Sequence, residues 1–260
     1  MHKSMMDMYD LTGKTAVVTG GSQGLGESFA RGLAKAGCNL VLTARTLSKL
    51  EKVAEDLAQY GIEALPVQMD VNKREDIEAM VKKATDKFGK IDILVNNAGI
   101  SAVNQAESMT DEEWESVIQT NVGGVFLCSQ IVGREMIKQG FGKIINIASM
   151  YSFVGASYVP QVSYTTSKAA VLGLTREMAV EWAPKGVQVM ALAPGFFRSD
   201  QTIWAFEQNK ELGEKLLARV PMGRMGRLEE LEGTIVFLAS DASGYMAGQT
   251  LTLDGGFLSW

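Results

Sequence analysis

The chain has 260 residues, of which 46% are hydrophobic and 21% charged, and its formal net charge is −5. This length and composition are typical of a soluble globular protein with a substantial core. The excess of carboxylates, without a cluster of lysine and arginine, argues against a protein that binds nucleic acid through its phosphates.

Histidine and cysteine, the usual residues of nucleophilic and metal sites, are scarce. His2 is the only histidine, which argues against nucleophiles activated by histidine and against histidine-bound metals. Cys38 and Cys128 form no CxxC pair, so we expect buried thiols, a reducing cytoplasm and no metal site. No segment has the apolar length of a membrane span, and the first residues lack a secretory signal. Acid–base chemistry would then use tyrosine, lysine or carboxylates.

Short apolar runs alternate with helical segments from the beginning of the sequence to its end. The predicted strands cover residues 15–19, 39–44, 63–70, 91–97, 142–149, 187–193 and 250–255. The predicted helices cover residues 27–37, 47–61, 73–89, 110–138, 162–183 and 227–240. The strands lack polar–apolar alternation, as strands buried on both faces do. This pattern predicts one doubly wound α/β domain over residues 1–260, with a parallel seven-stranded sheet, helices on both faces and a flexible segment 1–10.

The first predicted strand leads into a glycine-rich segment, TGGSQGLG, at residues 19–26. Gly20 permits a tight turn, Gly24 lets the backbone approach a pyrophosphate, and Gly26 lets helix and strand pack closely. The free N–H groups at the start of the next helix would face the phosphates. The predicted phosphate-binding residues are Gly20, Ser22, Gln23, Gly24, Leu25 and Gly26. The alternative is a glycine-rich turn that binds nothing.

The residues after the second and third strands bear on the choice of cofactor. Arg45 stands where a carboxylate would select NAD(H), and its guanidinium can bind a 2′-phosphate, which favours NADP(H) and leaves NAD(H) open. Gln23 adds no second positive charge, and Arg45 can also be read as a surface residue. Asp70 and Val71 are predicted to lie at the adenine, where Asp70 would accept a bond from the amino group. Alternatively, Asp70 caps the following helix.

Three further segments follow strands at the same edge of the sheet. Asn97, Ala98 and Gly99 would pass under the cofactor, unless they form an ordinary turn. Ser149 ends the fifth strand, and Tyr164 and Lys168 share one face of the next helix because they are four residues apart. A lysine ammonium and an oxidised nicotinamide would together lower the pKa of a tyrosine, which is otherwise about 10. Ser149 would hold the substrate oxygen.

These motifs, with APG at residues 193–195 and LDGG at residues 253–256, resemble the standard branch of the short-chain dehydrogenase/reductase family, which has a Rossmann fold. The resemblance implies a catalytic tetrad of Asn121, Ser149, Tyr164 and Lys168, in which Tyr164 is the general acid and base. It also implies cofactor contacts from Tyr164 and Lys168, and contacts to the nicotinamide from Pro194, Gly195 and Ser199. The reaction implied is direct hydride transfer between a ketone and a secondary alcohol.

Two features depart from the family pattern. Tyr164 follows Ser149 by 15 residues, about two more than the resemblance leads us to expect, so loop 150–161 is expected to form an enlarged pocket wall. The longer loop leaves open whether Ser149, Ser152 or Ser157 approaches the substrate, and we retain Ser149. Met190 stands where asparagine is usual, which we expect to alter packing and not chemistry.

The substrate is less well defined by the sequence. Residues 196–220 are expected to form a lid, and the predicted pocket residues are Ser101, Tyr151, Tyr158, Phe196 and Trp204. These rings suit a bulky or alicyclic ketone. The alternative is that they pack against their neighbours or a partner subunit. Arg198 suits an acidic substrate. We expect a carbonyl reductase that interconverts a ketone and a secondary alcohol. Segments 160–170 and 181–189 also resemble the gluconate 5-dehydrogenase-like group, which leaves a polyol or sugar acid open as substrate. A 3-oxoacyl-carrier reductase and a non-catalytic cofactor-binding scaffold are further alternatives. The family resemblance further implies a homotetramer or homodimer.

Overall fold

A computed structural model describes residues 4–156 and 158–259, excluding the side chains of Asp200, Gln201, Trp204 and Ala205. The strands are β1 (Thr15–Thr19), β2 (Asn39–Ala44), β3 (Ala64–Gln68), β4 (Ile93–Asn96), β5 (Gly142–Ile147), β6 (Val187–Pro194) and β7 (Thr250–Leu253). The helices are α1 (Gly24–Lys35), α2 (Leu47–Leu57), α3 (Arg74–Phe88), α4 (Asp111–Ile118), α5 (Gly124–Gln139), α6 (Val162–Trp182), α7 (Asp200–Gln208), α8 (Lys210–Leu217) and α9 (Glu229–Ala239).

The strands form one sheet in the order β3-β2-β1-β4-β5-β6-β7, and all neighbouring strands are parallel. The predicted seven-stranded parallel sheet with helices around it is therefore confirmed. The chain moves outward from β1 to β3 and then crosses to β4 on the other side of β1. Ligands of doubly wound sheets bind beyond the carboxyl ends of the strands at such a switch in order.

Both faces of the sheet are buried, which explains the uninterrupted apolar strands. Val18 of β1 packs in a core with Leu33 of α1 and Ile235 of α9. The neighbouring Val17 points to the opposite face and packs in a second core with Met80 of α3. Because each strand needs apolar residues on both sides, no polar residue interrupts β1 apart from its terminal threonines.

The segment predicted as one helix over residues 110–138 is interrupted. It begins with a capping box, since Thr110 Oγ1 accepts from Glu113 N at 3.2 Å and Glu113 Oε2 accepts from Thr110 N at 3.0 Å. Between α4 and α5, however, Gln119–Gly123 form a π-helical turn. This wider turn carries Asn121, and such π-bulges occur frequently at functional sites.

The ends of the chain and the expected lid complete the fold. Residues 1–3, part of the segment expected to be flexible, lie outside the described residues, and Met6–Met8 form a 3₁₀ turn. Segment 196–220 contains α7 and α8, which meet at Asn209, whose side chain accepts from Leu212 N at 3.0 Å. Within the described residues, none of the helices is both long and apolar enough to cross a membrane.

Candidate active site

The glycine loop between β1 and α1 is built for close backbone approach. Gly20 has φ +66° and Gly24 has φ +59°, in the left-handed region that favours glycine. A Cβ on Gly26 would overlap the carbonyl oxygen of Gly20 and lie 2.5 Å from Asn97 Nδ2. The Gln23 side chain does not cap α1, so the first N–H groups of the helix remain available to an anion. This cradle fits the pyrophosphate of a dinucleotide.

A second positive charge lies next to this loop, and it is supplied by Lys49 of α2 and not by Gln23. Arg45 is exposed directly after β2, as predicted. The Lys49 ammonium, on the first turn of α2, donates to Gln23 Oε1 at 3.0 Å. Sequence reasoning missed Lys49, and helical spacing could not have paired it with Arg45, because Arg45 lies before the first residue of α2. Lys49 thus places a cation at the glycine loop, and Arg45 supplies another on the segment between β2 and α2.

Asp70 and Val71 lie at the end of β3, beside the predicted adenine position. Asp70 Oδ1 accepts from Asn72 N at 2.9 Å, so this carboxylate shapes the turn before α3 and does not cap the helix. Val71 is buried and packs against the start of α5, because a Cβ on Gly124 would lie 2.7 Å from Val71 Cγ2. These contacts fix the loop between β3 and α3 against the start of α5.

The segment after β4 joins the glycine loop to the catalytic residues. Asn97 Nδ2 donates to the carbonyl oxygens of Thr19 and Gly20 at 2.9 and 3.2 Å. The backbone N–H groups of Asn97 and Ala98 both donate to Thr19 Oγ1 at 3.0 Å. A Cβ on Gly99 would lie 3.6 Å from Lys168 Nζ. Thr19, which sequence reasoning missed, therefore ties the two loops together.

Ser149, Tyr164 and Lys168 meet beyond the carboxyl end of β5. The Ser149 hydroxyl lies close enough to Tyr164 to lower the pKa of its phenol. Lys168 Nζ donates to the carbonyl oxygen of Ile147 at 2.7 Å and lies 5.7 Å from the Tyr164 ring centroid. One strand end and two turns of α6 are thus sufficient to assemble a hydroxyl, a phenol and an ammonium.

The question of which serine faces the substrate has a structural answer for two of the three candidates. Ser152 Oγ donates to the carbonyl oxygen of Lys168 at 2.8 Å and accepts from Ser149 N at 3.2 Å. It therefore braces the turn that holds Ser149, whose own hydroxyl reaches Tyr164. Ser157 lies outside the described residues. The geometry favours Ser149, as the sequence analysis retained.

Asn121 is fully buried in the π-helical turn. Its amide nitrogen donates to the Ile100 carbonyl oxygen and to Ser167 Oγ, and its Oδ1 accepts from Ile100 N, all at 2.9 Å. Ser167 Oγ in turn donates to the Tyr164 carbonyl oxygen at 2.7 Å. Asn121 therefore joins the loop after β4 to the turn of α6 that carries Tyr164.

Burial shifts the proton affinities of the two titratable catalytic groups. Burial lowers the pKa of Lys168 to about 8. Burial also raises the pKa of Tyr164, against a lowering by its hydrogen bond with Ser149. Among the protein's own groups desolvation is thus the larger influence on Tyr164. The lowering of the phenol pKa expected from the sequence therefore depends on the positive charge of an oxidised nicotinamide together with Lys168.

The residues predicted at the nicotinamide lie after β6. A Cβ on Gly195 would lie 2.7 Å from Asp254 Cα, so only glycine fits between β6 and the segment after β7. Ser199 is the N-cap of α7, and its Oγ accepts from Thr202 N at 3.3 Å. A Cβ on Gly24 would lie 3.6 Å from Ser199 Cβ. The start of α7 and the glycine loop therefore face each other, and Pro194 lies at the end of β6.

The predicted substrate-pocket residues fall into separate environments. Tyr151 and Phe196 belong to one aromatic cluster, with ring centroids 6.2 Å apart in an edge contact. Tyr158 and Ser101 are exposed, and the Trp204 side chain lies outside the described residues. Met190 is buried in the core beside α1, in keeping with a packing role. The aromatic residues therefore pack with one another beside the catalytic group.

A glycine loop at the switch point of a parallel sheet, next to a serine, a tyrosine and a lysine, defines a NAD(P)-dependent oxidoreductase that interconverts alcohols and ketones. The model of the short chain dehydrogenase family matches residues 14–210. The chain therefore belongs to the short-chain dehydrogenase family, as its motifs predicted.

Relatives and solved structures agree with this assignment. The chain is 42% identical over 256 residues to the 2-dehydro-3-deoxy-D-gluconate 5-dehydrogenase of Dickeya dadantii (strain 3937), covering 98% of this chain and 99% of that protein. It is 40% identical over 244 residues to the 3-oxoacyl-(acyl-carrier-protein) reductase FabG of Staphylococcus aureus (strain N315), covering 94% and 97%. The structure of a gluconate 5-dehydrogenase from Burkholderia cenocepacia J2315 with NADP and tartrate is similar with a TM-score of 0.93 at 36% identity, covering 99% and 100%. These similarities support NADP(H) as cofactor, with NAD(H) open.

Proposed function

We propose that this enzyme uses NADP(H) to interconvert a secondary alcohol and a ketone on a small sugar acid of gluconate type, with Tyr164 as general acid and base. The observation that carries the proposal is the grouping of three side chains: the Ser149 hydroxyl lies near enough to Tyr164 to lower the pKa of its phenol, and the Lys168 ammonium lies 5.7 Å from the tyrosine ring. A substrate oxygen next to both hydroxyls would be held and protonated at one place.

In reduction, Ser149 and Tyr164 donate hydrogen bonds to the carbonyl oxygen, and Tyr164 transfers its proton to that oxygen. In oxidation, the Tyr164 phenolate accepts the proton of the alcohol. Lys168 stabilises the phenolate, and because its pKa is about 8 it is mostly protonated at neutral pH. Asn121 holds this part of α6 through Ser167. NADP(H), when bound, supplies or accepts the hydride.

The residues present suit NADP(H). Gly20, Ser22, Gln23, Gly24, Leu25 and Gly26 would hold the pyrophosphate at the start of α1. Arg45 and Lys49 would bind the 2′-phosphate, since both cations lie at the start of α2. Asp70 and Val71 would border the adenine. The nicotinamide half would lie among Asn97, Ala98, Gly99, Tyr164, Lys168, Pro194, Gly195 and Ser199.

The gluconate-type substrate is supported by relatives with dehydrogenase names of that kind at up to 42% identity over nearly the whole chain. A 3-oxoacyl-carrier reductase is the second candidate, supported by the relative at 40% identity. Both candidates use the same Ser149, Tyr164 and Lys168 chemistry. The two candidate substrates differ in structure. The gluconate-type substrate carries a free acid group near the reacting carbon, whereas the 3-oxoacyl substrate is attached to a long carrier arm.

We further propose that the enzyme is a cytoplasmic homotetramer or homodimer. Phe126 of α5 and Val180 of α6 are exposed, at 41% and 75%, and these apolar side chains would be covered by a second copy. Cys38 and Cys128 are both free and buried, which suits a reducing compartment. Light scattering at several protein concentrations would measure the assembly.

A substrate panel followed at the absorbance of NADPH tests the proposal. The panel contains D-gluconate and 2-dehydro-3-deoxy-D-gluconate with NADP⁺ or NAD⁺, and acetoacetyl-CoA and cyclohexanone with NADPH or NADH. We expect turnover of the sugar acids, and loss of at least about 100-fold in kcat for Tyr164→Phe with NADPH affinity retained. Turnover by Tyr164→Phe equal to that of the wild type would refute the assigned role of Tyr164.

A further inference from the structure

The first turn of α6 carries Tyr164 but lacks the local features that usually hold a helix start in place. Helix α6 begins at Val162, so Tyr164 is its third residue. In the described part of the chain, the side chain of the N-cap residue Gln161 makes no capping hydrogen bond, and the first turn has no acidic residue to interact with the helix dipole. Helix ends without such partners fray. The position of the Tyr164 phenol therefore depends on a restraint from outside α6.

The segment after β4 supplies such a restraint. The backbone N–H of Asn104 donates to the Pro160 carbonyl oxygen at 3.0 Å, and Asn104 pairs with Gln161 in an isolated parallel bridge. The Gln161 carbonyl oxygen in turn accepts from Thr165 N at 3.0 Å, which closes the first turn of α6 around Tyr164. Asn104 is thus connected to the turn that carries the phenol by two backbone hydrogen bonds and one peptide bond.

The side chain of Asn104 is itself fixed by the start of α4. Its Nδ2 donates to Glu113 Oε2 at 3.0 Å and to the Ser108 carbonyl oxygen at 3.1 Å. The same Glu113 oxygen accepts from Thr110 N in the capping box. The hydrogen bond from Asn104 lowers the pKa of Glu113, so the carboxylate is ionised at neutral pH and the bond is charge-assisted. One side chain therefore connects the first turn of α4 to that of α6.

The other end of segment 100–104 also reaches α6. Ile100 exchanges two hydrogen bonds with the Asn121 amide, both at 2.9 Å. Asn121 then bonds Ser167, whose hydroxyl donates to the Tyr164 carbonyl oxygen. Segment 100–104 is thus fixed at both ends, and each end holds a different part of the α6 start. The connection through Asn104 was not predicted from the sequence.

We propose that Asn104 is a positioning residue that holds the first turn of α6, and with it the Tyr164 phenol, in the place where the substrate carbonyl is protonated. This inference rests on the proposed function, because it takes Tyr164 as the proton donor. Proton transfer requires hydrogen-bond reach between phenol and substrate oxygen, and a displacement of about 1 Å can lower a rate about 100-fold. Asn104 acts through Tyr164 and not on the reacting atoms.

The test compares Asn104→Ala with Thr110→Ala as its matched control. Asn104→Ala removes the side-chain bonds to α4, whereas Thr110→Ala removes one half of the capping box and leaves the bond between Asn104 and Glu113. Hydrogen exchange is followed by mass spectrometry without cofactor, in peptides covering residues 162–169 and, as an internal reference, 172–182. We expect exchange in 162–169 to become faster on the order of 10-fold in Asn104→Ala alone, with the reference peptide unchanged.

Turnover separates positioning from a general loss of stability. With the best substrate of the panel, Asn104→Ala should lower kcat on the order of 10-fold, while NADPH affinity in fluorescence titration and the urea midpoint stay near those of the wild type. Glu113→Ala should reproduce both effects, and adding Asn104→Ala to it should cause no further loss, because both changes remove the same bond. Glu113→Gln keeps an oxygen that accepts from Asn104 and should retain most of the wild-type rate.

Three outcomes would overturn the positioning role of Asn104. They are unchanged exchange in residues 162–169 of Asn104→Ala, an equal effect of Thr110→Ala, and additive losses in the double variant of Asn104 and Glu113. If thermal melting shows that Asn104→Ala does not fold, the comparison of Glu113→Ala with Glu113→Gln replaces it, and equal exchange in these two variants then refutes the restraint.

Exchange is measured without cofactor or substrate, so the inference and the proposed function can fail separately. If Tyr164→Phe has the turnover of the wild type while Asn104→Ala frees the start of α6, the role of Tyr164 is wrong and the restraint stands. If Tyr164→Phe loses turnover while Asn104→Ala changes neither exchange nor kcat, the restraint is wrong and the reaction stands.

Discussion

Replacing Lys168 by methionine should separate the catalytic value of this residue from its cost in stability. Its side chain is buried, with 5% of the residue exposed, and its ammonium donates to the Ile147 carbonyl oxygen at 2.7 Å. Burial lowers the pKa of Lys168 from 10.5 to about 8. The fold therefore holds a charge that it solvates less well than water does, at a position where stabilisation of the Tyr164 phenolate requires it.

The sign and size of the effect follow from that shift. Between pH 8 and 10.5 the unfolded chain binds more protons at Lys168 than the folded protein does, so the wild type gains stability as pH rises. The full shift in pKa corresponds to about 3 kcal/mol, of which about 2 kcal/mol is gained by pH 9.5. The methionine variant lacks this titration. Its free energy of unfolding should therefore fall relative to that of the wild type by about 2 kcal/mol between pH 7 and 9.5.

Urea unfolding of both proteins at pH 7, 8, 9 and 9.5, without cofactor and at one protein concentration, measures this difference. The upper limit of pH 9.5 keeps the titration of Tyr164 small, because burial raises its pKa. Lys83→Met, which removes an exposed lysine of α3, is the control. A constant difference between wild type and Lys168→Met from pH 7 to 9.5 would refute the reasoning, and kcat of the variant should fall at least about 100-fold.

Three further predictions concern the cofactor loop and the π-helical turn. Lys49→Gln should lower the ratio of NADPH to NADH affinity on the order of 10-fold, because one of two cations near the glycine loop is removed; fluorescence titration of both cofactors measures it. Gly26→Ala should destabilise the protein by about 1–3 kcal/mol and weaken NADPH binding, since its Cβ would overlap the Gly20 carbonyl oxygen. Asn121→Ala should cost about 2–3 kcal/mol in urea unfolding and lower kcat, because it leaves buried groups of Ile100 and Ser167 without their partner.

Each of these predictions has a control or a contradicting result. If Lys49→Gln leaves the ratio of NADPH to NADH affinity unchanged, Lys49 does not contribute to the selection of the 2′-phosphate, and only Arg45 of the two cations can do so. Gly233→Ala, in α9 with open space around its Cβ, should stabilise the protein by up to about 1 kcal/mol. If Gly26→Ala behaves like Gly233→Ala, the close packing of the loop is not required. Wild-type stability in Asn121→Ala would remove the bridging role of this residue.

The loop after β5 illustrates how far sequence reasoning could go. The strand-end position predicted Ser149 as the substrate-facing hydroxyl, but the spacing alone left Ser152 as an alternative. Only the packing of the loop on α6 shows that Ser152 Oγ donates to the Lys168 carbonyl oxygen. Two serines three residues apart have similar local signals, and the path of the backbone decides which one reaches Tyr164.

The helix over residues 110–138 is a second case. Its helical character depends on local signals and was predicted correctly. The π-helical turn at Gln119–Gly123 was not, although glycines beside Asn121 lowered the helix propensity there. The turn is maintained by the bonds from Asn121 to Ile100 and Ser167, which are partners from other parts of the chain.

The sequence by itself determined the parallel sheet, the glycine loop, and the pairing of Tyr164 with Lys168. These features depend on signals within a few residues: apolar runs, glycine in the left-handed region, and i,i+4 spacing on a helix. The tertiary structure alone brought Lys49 to Gln23 and Arg219 to Phe257. Those contacts join residues distant in sequence, so they depend on how helices and loops pack over the sheet, which no local pattern specifies.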